Sequence, residues 1–155
     1  MGKIEERIKE LGFELPAVPK PVAAYVPTVR TGNLIFTAGQ IPFVKGELQY
    51  KGRIGENLTI EQGYEAARTC CLNALAAIKG EIDNLDLIER IIKLTVFVNS
   101  ANGFTDQAKV ANGASELLVQ IFGEAGRHSR SAVGCNVLPL GASVEVEMIV
   151  KVKQS

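Results

Sequence analysis

Hydrophobic residues recur along this chain with two periods, one typical of helices and one typical of strands. Near the N-terminus, Ile4, Ile8 and Leu11 follow the i, i+4, i+7 spacing of one helix face, among charged residues. This spacing predicts a short amphipathic helix over residues 3–11. The segment 14–27 contains four prolines, which remove backbone donors and block helix formation, so we predict an extended connector there.

Two longer helices are predicted further along the chain. In the segment 60–79, alanine, cysteine, leucine and isoleucine residues form one apolar side. Thr59 followed by Gln62 matches a capping box at the start of this helix, and Gly80 is its expected stop. The next helix is expected over residues 106–122.

Other segments are rich in branched residues or alternate between apolar and polar positions, as strands do. They are residues 28–39, with a turn at Gly32-Asn33; residues 43–56, a glycine-punctuated loop or ragged hairpin; residues 88–100; and residues 127–150, interpreted as a hairpin with a Leu-Pro-Leu-Gly turn. Two helices that each return to a strand predict an α+β fold, a small sheet with two helices packed on one face. We expect residues 1–155 to form a single domain.

Alternation along the strand that begins at Ser129 predicts which residues share a face. One face carries Arg130, Ala132, Gly134 and Asn136, and the other carries Ser131, Val133, Cys135 and Val137. Because the second set is apolar, we expect it to pack on the helices. Arg130 would then point to the uncovered face of the sheet, which meets either water or other subunits. On the last strand, Glu145 and Glu147 alternate with valines.

Composition narrows the classes of partner. Hydrophobic residues make up 46% of the 155, and 17 basic residues balance 17 acidic ones, so no overall charge attracts nucleic acid or an acidic membrane. No uncharged run is long enough to span a membrane, and the N-terminus lacks the apolar region of a signal peptide, so we expect a cytoplasmic protein. One histidine and three cysteines without a C-x-x-C pair argue against a metal site. The cysteines are interpreted as buried thiols.

Four motifs, in this order, resemble the YjgF/RidA family, the reactive-intermediate (imine) deaminases. They are AYVPTVRTGNLIFTAGQIP, KLTVFV, ANGASELL, and RSAVGCNVLP followed by VEVE. The resemblance covers roughly residues 21–152, and residues 1–20, a helix and a Pro-rich connector, are extra to the short family members. It implies a chorismate-mutase-like fold, a homotrimer whose three sheets close round a central barrel, and ligand clefts between subunits.

The resemblance also implies roles for individual residues. Arg130 matches the arginine that holds the carboxylate of a 2-imino acid, and a guanidinium can do so with two parallel hydrogen bonds. Glu145 matches the residue that orients the attacking water. The other positions that match the substrate cleft are Tyr25, Asn112, Ser131 and Ala132. The family often has cysteine where this chain has Ala132, so a thiol is lost, whereas a backbone carbonyl there would remain.

Each of these assignments has a plainer alternative. Arg130 could form a salt bridge between subunits, for instance with Glu145. Glu145 and Glu147 could both be solvated charges, and Asn112 could be an exposed helix residue. His128 is either a general base or an exposed loop residue.

Three functions follow. The first is hydrolysis of 2-imino acids or their enamine tautomers, such as 2-aminoacrylate, to 2-oxo acids and ammonia, with no cofactor. The second is a regulatory trimer that binds a 2-oxo acid without turnover. The third is RNA cleavage or translation inhibition, ascribed to some relatives, which the neutral charge and the absence of an aromatic-basic platform disfavour. The first two share Arg130, and only turnover distinguishes them.

Overall fold

The computed structural model describes residues 1–20 and 23–154, and it has an α+β fold. Pro21 and Val22 of the predicted connector lie outside the described residues. The α-helices of the described residues are α1 (Lys3–Glu10), α2 (Ile60–Ile82) and α3 (Gln107–Phe122). The strands are β1 (Thr28–Thr31), β2 (Leu34–Thr37), β3 (Phe43–Val44), β4 (Glu47–Leu48), β5 (Ile88–Asn99), β6 (Ser129–Cys135) and β7 (Val144–Val152). Among the described residues, no helix combines the length and apolar content that a membrane crossing requires.

In the part of the chain that the structure describes, five strands form one sheet in the order β1-β2-β7-β5-β6, and β3 and β4 form a separate small hairpin. The β1–β2 hairpin closes through the Gly32-Asn33 turn, as predicted, with Thr31 opposite Leu34. Helices α2 and α3 pack on the same face of the sheet, α2 against β7 and α3 against β5 and β6. The prediction of two helices on one face is confirmed.

The predicted C-terminal hairpin is wrong, because β6 and β7 do not pair. Strand β5 lies between them, parallel to β6 and antiparallel to β7. Helix α3 carries the chain back to the end of the sheet where β5 begins, so β6 runs parallel to β5. It pairs with the edge of β5 that β7 does not occupy. The connection from β6 to β7 then crosses the end of β5, where Asn99 donates its side-chain amide to the Ala142 carbonyl at 3.0 Å.

The predicted faces of β6 are also reversed. Arg130 pairs beside Leu94, and Ala132 beside Val96, and both β5 partners are fully buried under the helices. Val133, which we expected in the core, is 43% exposed on the open face. The cause is the position of β6 at the sheet edge, where an apolar residue need not face the helices. Arg130 therefore points to the helix side.

Helix α2 begins as predicted but ends later. The Thr59 side chain accepts a hydrogen bond from the Gln62 backbone, and the Gln62 side chain accepts one from the Thr59 backbone. The helix continues through Gly80 to Ile82, and Asp83 ends it in the left-handed conformation with φ 62°. Gly80 serves packing instead, because a Cβ there would lie 2.5 Å from a methyl group of Val18 in the connector.

The N-terminal helix α1 is tied to the fold through Asp86. The Asp86 carboxylate accepts hydrogen bonds from the backbone N–H groups of Lys3 and Ile4, at 3.0 and 2.8 Å. These N–H groups begin α1 and have no partner within it. The bond from Ile4 is the main cause of a lowered pKa at Asp86. Ile8, on the inner side of α1, is buried in the core.

Two of the three cysteines are buried core thiols, as predicted. Burial raises the pKa of Cys70 and of Cys71, so neither is a ready thiolate. Cys135 differs, because it is only partly buried on the open face of the sheet. Among the described residues, all three cysteines are free of disulfide bonds.

Removing the cap of α2 tests the helix boundary. Thr59→Ala deletes an acceptor that serves an otherwise unpaired helix N–H, and we expect it to lower the free energy of unfolding by about 1 kcal/mol. Thr69→Ala is the matched control, since Thr69 lies inside the same helix and donates to the Glu65 carbonyl. Urea denaturation should show a lower midpoint for Thr59→Ala alone. Equal midpoints for both variants would contradict the capping role.

Candidate functional site

Arg130 is held against α3 through a single nitrogen. Its Nη1 donates to Asn112 Oδ1 at 2.8 Å and to Ser115 Oγ at 3.1 Å. Asn112 and Ser115 are three residues apart and therefore lie on the same face of α3. Within the described part of the chain, Nε and Nη2 of Arg130 have no hydrogen-bond partner. The edge formed by these two nitrogens is therefore free to bind a ligand.

His128 extends this cluster. Its Nε2 lies 2.9 Å from Ser115 Oγ, and its Nδ1 lies 2.6 Å from the Gly126 carbonyl oxygen. Burial lowers the pKa of His128, the bond to Gly126 opposes that shift, and the nearby charge of Arg130 lowers the pKa further. Ser115, His128 and Arg130 line a shallow pocket of about 220 Å³.

Glu145 lies in a different and larger cleft of about 820 Å³. The walls of this cleft come from the connector, the segment after β2, the β3–β4 hairpin and the turn before β7. Tyr25 lines the same cleft and is 56% exposed. Gly39 lies against the carboxylate, because a Cβ at Gly39 would be 2.1 Å from Glu145 Oε2. A larger residue at position 39 would therefore displace the Glu145 carboxylate, although φ at Gly39 is not positive.

The predicted site residues thus fall into two groups and one separate position within one chain. Arg130, Asn112 and Ala132 lie on the helix side of the sheet, and Ala132 packs against the core. Glu145 and Tyr25 share the larger cleft. Ser131 lies on the open face, opposite Thr95 of β5.

Strand alternation separates Arg130 from Glu145. Arg130 is beside Leu94 on β5, whereas Glu145 is beside Phe97, and the side chains of Leu94 and Phe97 project from opposite faces. The chain does not bring Arg130 and Glu145 into one cleft. A site that uses both would need a second copy of the chain.

Comparisons with known proteins agree with this fold. A family model described as "YjgF/chorismate_mutase-like, putative endoribonuclease" matches residues 5–152. Protein TCP17 of Trypanosoma cruzi is 41% identical over 151 residues, which are 97% of this chain and 94% of that protein. The crystal structure of Atu1372 from Agrobacterium tumefaciens, of unknown function, is 42% identical with a TM-score of 0.92, covering 97% of this chain and 93% of that one. E. coli TdcF with bound serine is 27% identical with a TM-score of 0.61, covering 88% and 94%.

The chain belongs to the YjgF/RidA family. Membership confirms the resemblance that the four motifs predicted, and it confirms the chorismate-mutase-like fold. It leaves the roles of the site residues as predictions.

The environment of Glu145 favours its protonated form more than water does. Burial raises the pKa of Glu145, and the negative charge of Glu147, two residues along the same strand face, raises it further. A carboxylate whose pKa is closer to neutral is a stronger base, so it can accept a proton from a bound water more readily. The open cleft supplies room for such a water.

Two features of this family member were missed by sequence reasoning. Ser115 was not singled out, because a serine inside a helix has no signal of its own until Arg130 and His128 are seen beside it. Gly39 belongs to the quoted Gly-Gln-Ile-Pro motif, but its contact with Glu145 depends on a non-local pairing, in which Gln40 bridges to Val146. Among the described residues, no group of three His, Cys, Asp or Glu side chains could hold a metal ion.

Glu147→Gln tests the electrostatic coupling on β7. Removing the charge of Glu147 favours the ionised form of Glu145, so the pKa of Glu145 should fall towards its ordinary value. Burial remains, and therefore the pKa should stay above that value. Carbon-13 NMR titration of the side-chain carboxyl groups reads this directly, with the Glu145 signal identified by its loss in Glu145→Gln.

The control for this titration is Glu124→Gln, because Glu124 is exposed and pairs with Arg127. It should leave the pKa of Glu145 unchanged. A Glu145 pKa that is the same in Glu147→Gln and wild type would show that the two carboxylates do not interact.

Proposed function

We propose that this protein hydrolyses 2-imino acids, or their enamine tautomers such as 2-aminoacrylate, to 2-oxo acids and ammonia. The observation that carries the proposal is the restrained guanidinium of Arg130. Its Nη1 is held by Asn112 and Ser115, and its Nε–Nη2 edge is left to bind an anion. A carboxylate matches this edge with two parallel hydrogen bonds.

The chemistry of the reaction is simple and needs no cofactor. The oxygen of water bonds to the imine carbon, a proton moves to nitrogen, and the carbon–nitrogen bond then breaks to release ammonia. Arg130 anchors the substrate carboxylate, and Glu145, with its raised pKa, accepts a hydrogen bond from the water and takes up a proton. Tyr25 forms part of the wall beside the substrate side chain.

A homotrimer would complete this site. Arg130 and Glu145 lie on opposite faces of the sheet, so Arg130 of one copy would meet Glu145 of the next. The open face supports assembly, since Val29, Phe36 and Val133 are 57%, 40% and 43% exposed on it. Sedimentation equilibrium should give three chains per particle, and a monomer at micromolar concentration would contradict this arrangement.

The serine bound by TdcF also supports the proposal. Serine carries the α-carboxylate that a 2-imino acid shares. The same feature would be expected of a regulatory trimer that binds a 2-oxo acid without turnover, which is therefore the second candidate function. Endoribonuclease activity is named in the family description. It is less well supported here, because the charge is balanced and the candidate site suits a small carboxylate.

The cytoplasmic location stays a prediction.

The test is imine turnover. An amino-acid oxidase generates the imine from alanine or leucine in place, and semicarbazide traps what is not hydrolysed. Wild type should suppress the trapped adduct, and Arg130→Ala should abolish the suppression because the substrate loses its anchor. Arg130→Lys should also lose most of the suppression, since lysine keeps the positive charge but lacks the two parallel N–H donors of the guanidinium. Glu145→Gln should slow turnover while 2-oxobutyrate still binds.

Arg127→Ala is the matched control. It removes a positive charge from the same shallow pocket, but Arg127 pairs with Glu124 and is not the proposed clamp. It should behave as wild type. If wild type and Arg130→Ala trap equally across several amino acids, while wild type still binds 2-oxo acids, the regulatory trimer is the correct function.

A further inference from the structure

The hydrogen bonds around His128 have one consistent direction. The Gly126 carbonyl can only accept, so the proton of the neutral ring lies on Nδ1. Nε2 is then an acceptor and faces Ser115 Oγ at 2.9 Å. Ser115 Oγ accepts from Arg130 Nη1 at 3.1 Å, and its one proton is free for His128. The chain of donors therefore runs from Arg130 through Ser115 and His128 to Gly126.

We propose that His128 is a positioning residue for Arg130, which orients the carboxylate-binding guanidinium through Ser115 and does so only while its ring is neutral. Asn112 binds the same nitrogen but has no link to His128 among the described contacts. Ser115 is different, because donating its proton to Nε2 turns a lone pair of its hydroxyl towards Arg130. This inference rests on the proposed function, since it concerns the carboxylate clamp.

Protonation would break this arrangement. A proton on Nε2 turns it from an acceptor into a donor, so the Ser115 hydroxyl loses the acceptor for its own proton and has to reorient beside Arg130. The imidazolium would also lie near the positive Arg130, and burial with this charge keeps the pKa of His128 below its ordinary value. The arrangement is therefore intact at neutral pH and is lost as the pH falls through that pKa.

Other charged groups on the elements around this cluster form hydrogen bonds or ion pairs with residues other than His128. Arg127, the preceding residue, pairs with Glu124 at 3.1 Å. On β5, Arg90 donates to the Arg127 carbonyl at 3.0 Å. On α3, Glu116 is bonded to Tyr64 of α2. Among the described residues, Arg130 is the charged group that lowers the pKa of His128.

The first test needs no ligand and uses the wild-type chain. His128 is the single histidine, so its ring nitrogens are the only imidazole signals in nitrogen-15 NMR. At about pH 7.5, Nδ1 should carry the proton and Nε2 should show the shift of a hydrogen-bonded acceptor. Titration to about pH 5 should move the Arg130 Nε–H signal together with the ring signals. A ring protonated on Nε2 at neutral pH, or an Arg130 signal that ignores the titration, would overturn the proposal.

The second test measures binding of 2-oxobutyrate, whose carboxylate stays ionised between about pH 5 and 8. Calorimetry should show wild-type affinity falling severalfold as the ring is protonated. Ser115→Ala should bind about tenfold more weakly at neutral pH, as expected for a lost hydrogen bond to a charged group. His128→Gln supplies an amide oxygen that accepts from Ser115 but does not titrate. It should keep most of the neutral-pH affinity and lose the pH dependence.

The outcomes separate the two proposals. If wild type does not bind 2-oxobutyrate at any pH, the carboxylate clamp fails, and the NMR titration still decides whether His128 orients Arg130. If wild type binds but His128→Gln has the same pH dependence, the clamp stands and the positioning role is wrong. Affinity that rises in acid would also overturn it, because His128 would then act as an extra cation for the anion. The control is the pH dependence of 2-oxobutyrate binding to Glu145→Gln, because this variant lacks the other titrating group of the proposed site.

Discussion

The burial of one sheet face under α2 and α3 is the interaction on which the rest of the structure depends. It places alternate residues of β5 and β7 in the core, where Leu94, Val96, Val146 and Met148 are almost fully buried. Because strand side chains alternate, the intervening residues must project from the other face. Glu145 is one of them, so its position follows from the packing of its valine neighbours.

The same alternation places Arg130 on the covered side of β6. At the edge of the sheet, Asn112 and Ser115 of α3 accept hydrogen bonds from the guanidinium. The arginine is therefore restrained before any ligand arrives, which reduces the entropy lost on binding. Glu145 lies beside Gly39 in a cleft built from loops. The sheet keeps the two halves of the proposed site apart.

Features with local causes could be predicted from the sequence. The capping box of Thr59 and Gln62 and the Gly32-Asn33 turn depend on residues close together in the chain, and both are confirmed. The α+β class follows from the order of helices and strands along the chain and is also confirmed. Strand pairing depends on distant residues, and there the prediction failed: the segment 127–150 looks like a hairpin but flanks β5. The face of β6 was misjudged because Val133 is apolar yet exposed. The Ser115–His128–Arg130 cluster brings residues of α3 and β6 together and became visible only in three dimensions.

The central claim is that Arg130 of one copy and Glu145 of another form one site. Complementation between two inactive variants tests it most directly. Arg130→Ala and Glu145→Ala chains, each inactive alone, are unfolded together, refolded as a mixture and assayed for imine turnover. Shared sites predict restored activity, since about a quarter of the interfaces in random trimers would pair an intact arginine with an intact glutamate. A mixture as inactive as its parts, although mass spectrometry shows mixed trimers, would contradict the claim.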